Sequence, residues 1–298
     1  MSNWEFTGEA KTEGGVKLRR IRAAIDFTLP SGFKVTKGEL GGWIEKESNL
    51  SGNAWVSENA EVSGNAQVSE NAQVCGNALV YGDAQVCGNA QVSENARVCG
   101  NALVCGYTLV YGDARVFGNA QVSENAWVHS DALVYGNAQV CGYARVSGNA
   151  RVFGDAWMYG DARVFGNVLV FEDAQVSDDA WVYGNALVAG NAWVFGDARV
   201  YGDMLVYGDA WVSRSEHLLT IGKIGSRSDT ATFFRDKAGT IYVVCGCFFG
   251  TLNEFRAKVK QTHGDTKHAK VCGIAADLAE AQIDTTPIEN EEDKNATD

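Results

Sequence analysis

The chain has 298 residues, with 37 Asp and Glu against 25 Lys and Arg and a net charge of −12. That acidity opposes direct binding to nucleic-acid phosphates, and no apolar run approaches the ~20 residues of a membrane-spanning helix. Met1-Ser2-Asn3-Trp4-Glu5 lacks the charged-then-apolar order of a secretory signal, so the expectation is a cytoplasmic protein with its cysteines as reduced thiols.

Residues 1–43 carry no repeat and read as an N-terminal β cap. Val16 to Phe27 alternates in part and predicts a strand, with a return at Phe33-Lys34-Val35. Lys17, Arg19, Arg20 and Arg22 read as a solvated strand face.

Residues 44–213 are a hexapeptide repeat. Val56, Val62, Val68 and Val74 open a series that returns every six residues to Val212, filling 27 slots of which only Met158 is not valine. Ala precedes each by two positions, except at Thr108, Val168 and Met204; Asn or Asp follows by three, except at Tyr107, Tyr143 and, where the repeat stops, Ser215. Ile44 and Leu50 already hold the valine phase. In Ala-x-Val-x, residues two apart share a side of a strand, so Ala and Val face inward. Gly-Asn or Gly-Asp supplies the corner, since Gly accepts φ > 0 and Asn and Asp tolerate it. Three hexads make a triangular coil, and the repeat predicts about nine coils of parallel β-helix. The aliphatic-to-small spacing, as in Val80 to Ala84 and Val134 to Ala138, resembles the left-handed hexapeptide-repeat β-helices, and that resemblance implies the left-handed coil. The runs Gly41-Gly42-Trp43-Ile44-Glu45 and Glu47-Ser48-Asn49-Leu50-Ser51 resemble the N-terminal caps of bacterial and phage-encoded members of that class.

Every eighteenth residue stacks on one face. One face gathers Leu133, Leu169, Leu187 and Leu205 with Phe153 and Phe171. It reads as an apolar wall covered by a second copy of the chain or by the C-terminal module. Residues 54–213 hold 17 Asp and Glu, 6 Arg and no Lys, the acids scattered over the corners; solubility explains this more simply than imitation of DNA. Cys75, Cys87, Cys99, Cys105 and Cys141 share a slot with Ser, Tyr and Phe, which argues for packing. Cys245-x-Cys247 has no partner pair at zinc spacing. No metal or cofactor is expected.

Residues 214–284 read as an α+β module. A strand at His217–Ile221 precedes a hairpin of Thr230–Arg235 with Thr240–Cys245. Thr251-Leu252-Asn253-Glu254 is a capping box that opens a helix closed by His263-Gly264. A second helix would face Val271, Ile274, Leu278 and Ile283 inward. Residues 285–298 read as a disordered acidic tail.

Three functional readings follow. The resemblance implies an acyltransferase option, because those enzymes generally use a histidine base; His129 is the one histidine in the repeat. Against it, no loop interrupts the coils. The second reading is a binding or scaffold protein without enzymatic activity. Tyr107 and Tyr143 fall on one corner two coils apart, with Glu124 between and Trp127 and Arg145 adjoining, and aromatic residues with Arg dominate protein contacts. The cap resemblance makes a phage-encoded inhibitor of a host protein, or a ligand sequesterer in the bacterial host cytoplasm, one form of it. The third concerns the C-terminal module, where Arg227, in Gly225-Ser226-Arg227-Ser228-Asp229, with His263, Lys267 and His268 at a helix break, could hold a small anion.

Overall fold

A computed structural model of the protein describes residues 2–287. The fold is a parallel β-solenoid of hexapeptide coils with two C-terminal helices and a small strand module. By its contacts the chain divides into two compact units, Met1–Asn167 and Val168–Asp298.

In the first unit each hexad contributes a two-residue rung, such as Leu79–Val80, Gln85–Val86 and Gln91–Val92. Each pairs in parallel with the rung one coil on: Leu79 with Arg97, Gln85 with Leu103, Gln91 with Leu109. The short rungs are enough because a typical hexad donates to the next coil at three places. Around Val80, the Leu79 N–H donates to the Ala96 carbonyl at 2.9 Å, Tyr81 to Val98 at 3.0 Å, and Asp83 to Gly100 at 2.8 Å. The inward columns from Ala60 and Val62 to Ala162 and Val164 are fully buried, as the alternation requires. Burying a Val side chain is worth about 1.5–3 kcal/mol, and the column repeats that gain once per hexad.

The coil opens at the cap. Strands β1 (Trp4–Glu13) and β2 (Val16–Ala23) form an antiparallel hairpin, β3 (Phe27–Thr28) pairs with β4 (Lys34–Val35), and β5 (Leu40–Ile44) follows. β5 is antiparallel to β2 on one edge and parallel to Glu61–Val62 on the other, placing Ile44 beside Val62. The hairpin thus covers the strand edge that the first coil would expose. The sequence reading is corrected here: it missed β1, and the strand read as Val16 to Phe27 stops at Ala23. Gly14 and Gly15, both at positive φ, join Glu13 to its partner Val16. Such a Gly-Gly pair is a two-residue hairpin turn. The basic face is largely engaged: Arg22 pairs with Glu5 at 2.7 Å, Arg20 with Glu9 at 3.5 Å, and Arg19 lies 3.7 Å over the Phe6 ring.

In the second unit the rungs Leu169–Val170, Leu187–Val188 and Leu205–Val206 pair in register. After Val212 the module forms four antiparallel strands, β6 (Leu218–Ile224), β7 (Asp229–Arg235), β8 (Ile241–Cys245) and β9 (Phe248–Thr251). Helices α1 (Leu252–His263) and α2 (Lys267–Gln282) follow. Thr251 caps α1 with the reciprocal Glu254 contacts expected of the capping box. β9 was not anticipated. The inward face of α2 differs in part from the reading: Val271 and Ile283 pack on the core, but Ile274 and Leu278 are exposed, whereas Cys272, Ala275, Ala276 and Ala279 are buried with Phe233, Val243 and Phe255. A face of small residues lets the helix backbone come close to its neighbours, and the bulkier stripe is left outside. The module seats on the last coil: Ala210 bridges to Asp236, the Leu205 N–H donates to Thr232 Oγ1 at 3.1 Å, and the Tyr207 ring lies 4.3 Å from Phe249. The tail expected at 285–298 falls, from residue 288 on, outside the described residues.

Candidate functional site

The corners explain both the regular residues and the exceptions. At most corners the side chains form ladders along the coil: Asn101 Nδ2 donates to Asn119 Oδ1 at 3.0 Å, Asn119 to Asn137 at 2.9 Å, and Asn137 to Asp155 at 2.9 Å. Asn can pass the chain on because its amide both donates and accepts, whereas Asp only accepts. Accordingly Asp83 and Asp155 stand where a run ends. The cap supplies the first donors, with Asn3 donating to Asn53 and Lys46 to Asn65, both at 2.9 Å.

A ladder begins at the same corner column as the two tyrosines: Asn53 donates to Asn71 and Asn71 to Asn89. The next member would be Tyr107, which instead stands 62% exposed, and Tyr143 is 59% exposed. Between them Glu124 adopts φ 62°, and its Oε2 accepts from the Gly142 N–H at 2.8 Å. A charge-assisted bond of that kind offsets the left-handed backbone. The coil below it needs glycine: a Cβ on Gly106, at φ +79°, would stand 2.7 Å from the Glu124 backbone N and O. The residue after Tyr107 is irregular too. Thr108 occupies an alanine slot, fully buried, and its Oγ1 has no hydrogen-bond partner.

On the adjoining face Trp127 and Arg145 are neighbours across two rungs, with the guanidinium 4.4 Å over the indole. His129 stacks on Tyr111 at 4.9 Å and 9°, and its Nδ1 lies 3.1 Å from Ser130 Oγ. Burial, and secondarily the Arg145 charge, lowers its pKa. The structure therefore brings Tyr107, Glu124 and Tyr143 to one corner, with Trp127, Arg145 and His129 on the face that leads from it.

The expected apolar wall is mixed in the first unit. Leu133 and Phe153 lie on it, but in register the column reads Glu61, Leu79, Arg97, Arg115, Leu133, Arg151. Beside it Phe117, Tyr135 and Phe153 stack at 4.8 Å with rings 1° from parallel. In the second unit Leu169, Leu187, Leu205 and Phe171 are half-buried, and no Arg interrupts the leucines.

In the C-terminal module Arg227 lines a cleft, but Lys267 and His268 do not; the expected His263 does, and Lys258 joins it beside Arg227. Both lie on α1, which turns them toward the β6–β7 loop, a juxtaposition that sequence spacing does not contain.

The YdcK β-solenoid repeat model matches residues 72–88, 90–106, 110–124, 144–160 and 180–196, all within the hexads. The chain is a β-solenoid repeat protein. Among solved structures, the solenoid is similar to an Arabidopsis UDP-N-acetylglucosamine acyltransferase, at 11% identity and TM-score 0.37, covering 56% of this chain and 70% of that one. It is also similar to the Francisella novicida UDP-N-acetylglucosamine acyltransferase, at 13% identity and TM-score 0.29, covering 51% of this chain and 62%, less than two thirds, of that one. No curated protein matches the solenoid protein by sequence. Among the described residues no helix is long and apolar enough to cross a membrane, and no group of three or more His, Cys, Asp or Glu could hold a metal ion.

Proposed function

We propose that this solenoid protein is a binding or scaffold protein without enzymatic activity, and that it engages a protein partner through the corner of Tyr107, Glu124 and Tyr143 and the adjoining Trp127 and Arg145. The observation that carries the reading is the concentration of departures in one place. Tyr107 ends a hydrogen-bonded Asn ladder, and the next residue, Thr108, buries an unpaired hydroxyl. Both cost the repeat something locally, and sequences break such rules mainly where function compensates. The products are two large exposed rings beside a fixed carboxylate and a stacked Arg, the residue types that form the energetic centres of protein interfaces. An inhibitor acting on a host protein is one form this binding could take. The leucine column of the second unit is proposed as a contact between copies of the chain.

The test is affinity capture from a bacterial lysate with mass spectrometry, then measurement of the captured protein against Tyr107→Ala/Tyr143→Ala/Arg145→Ala. Loss of binding with an unchanged melting temperature supports the reading; wild-type affinity moves the site elsewhere. The enzymatic alternative is acyl transfer with His129 as base. Thioester turnover abolished by His129→Ala would establish it, although a lowered imidazole pKa makes a weaker base.

A further inference from the structure

We infer that the C-terminal module carries a second, independent site, a cleft for a small organic acid whose carboxylate meets Arg227 and whose apolar body lies against Phe248 and Phe255. The cleft encloses ≈ 250 Å³ between the β6–β7 loop, the β8–β9 turn and α1. That is below the ~300–1,000 Å³ of typical drug-sized sites, so the occupant is a small molecule and not a peptide.

Its wall chemistry selects the class. Phe248, Phe255 and Val259 supply an apolar floor; Phe255 is buried in the module core, and its ring meets Phe248 at 5.4 Å and Phe233 at 6.0 Å, so the floor is rigid. Arg227, Lys258 and His263 line the same cleft. The one carboxylate there is Asp229, whose Oδ2 would lie 2.5 Å from any Cβ placed on Gly246, at φ +60°. That carboxylate therefore packs against the β8–β9 turn. Two permanent cations thus face one acid, in a chain whose net charge is −12. A locally cationic mouth over an aromatic floor matches an anion with an apolar body. A bare phosphate would forgo the floor, and an uncharged apolar molecule would leave the cations unused.

The loop that carries Arg227 is shaped at some cost. Ser228 in the loop and Lys223 at the irregular end of β6 adopt positive φ, 55° and 56°, and outside the repeat no other non-glycine residue does so among the described residues. Such conformations persist where surrounding structure over-determines them, and they cluster at ligand sites. Arg227 Nη1 also lies 3.8 Å from Cys247 Sγ, which holds the guanidinium at the mouth.

The experiment is a two-dimensional NMR titration of the full chain with three probes: hexanoate, 1-hexanol and inorganic phosphate. The expected result is saturable shifts with hexanoate, confined to 224–229, 245–248 and α1, with hexanol and phosphate each binding at least roughly tenfold more weakly. Arg227→Ala should lower hexanoate affinity by roughly tenfold or more, as loss of a charge-assisted contact does. Arg227 is exposed, so the fold is retained, and unchanged shifts elsewhere verify this. Lys258→Ala serves as a second, independent exposed variant with the same expectation. The inference is overturned if hexanoate gives no saturable shifts at millimolar concentration, if hexanol binds as tightly as hexanoate, or if both variants bind hexanoate like the wild type. None of these outcomes bears on the corner of the first unit, which the protein-capture experiment tests separately.

Discussion

At the scale of single residues, the repeat is a set of columns, and each column has its own rule. The corner ladders are directional: the amide at one level donates to the oxygen one coil on. Asn119 sits mid-ladder, accepting from Asn101 and donating to Asn137. Asn119→Asp removes the donor and sets two oxygens against each other. A net hydrogen bond is worth about 0.5–1.5 kcal/mol, so the variant should lose stability in that range and melt lower. Asp155→Asn keeps its role as acceptor from Asn137, and its melting temperature should match the wild type. If the two substitutions behave alike, the ladders do not contribute. Thr108 gives the opposite sign. Its hydroxyl is buried without a partner, and Thr108→Val removes it at nearly constant volume. Unpaired polar burial costs about 1–3 kcal/mol, so this variant should melt higher and still bind the partner. A lower melting temperature would mean the hydroxyl has a partner.

At the scale of the element, the inward valine column and the capping module behave differently. Val134 is fully buried among valines at adjoining levels. Val134→Asp puts a carboxylate in an interior with no counter-charge, and the expected outcome is loss of cooperative melting or insoluble protein. A soluble variant with wild-type melting would refute the inward assignment. In the module, the polar junction rests on neutral His217 and buried Arg235. The Ser213 N–H donates to His217 Nδ1 at 3.2 Å, while Arg235 donates to the carbonyls of Asp236, Lys237 and Asp284. Burial first, then the Arg235 and Arg214 charges, lowers the His217 pKa, with Asp284 and Glu216 opposing. The folded form therefore binds the proton less readily than the unfolded chain, whose histidine titrates near ~6.5. Stability from this group is complete above ~6.5 and declines as pH falls through that value toward the folded pKa. Thermal melts between pH 7.5 and 5 should show this decline, and His217→Asn should flatten it. A slope unchanged by the substitution would assign it to other groups.

At the scale of the molecule, the proposed contact between copies would rest on the leucines of the second unit. Leu169, Leu187 and Leu205 are in register and half-buried, and their neighbours Phe171 and Tyr207 extend the apolar strip. Leu169→Glu with Leu187→Glu should convert an oligomer to monomer by light scattering, with the coil retained by circular dichroism. A wild-type protein already monomeric at micromolar concentration would reject the contact between copies.

The sequence by itself determined the coil. A strict six-residue period with one aliphatic and one small residue leaves a single way to bury both columns, and each corner announces itself through glycine and Asn or Asp. The exceptions at Tyr107 and Tyr143 were legible for the same reason, because in a periodic chain any departure stands out. The hand of the coil came from resemblance, since alternation fixes which side faces inward but not which way the chain turns. Where periodicity ends, legibility fell. β1 was missed although Gly14-Gly15 marked its turn, since most of its side chains are exposed and give no alternation. The face of α2 was half right: Val271 and Ile283 pack on the core, but Ile274 and Leu278 are left outside, because spacing alone cannot show where Ala residues will pack at close range. The unpaired hydroxyl of Thr108 became visible only with the coil in three dimensions. So did the entry of Lys258 beside Arg227. Each depends on groups distant in sequence being brought together, and only tertiary packing sets those distances.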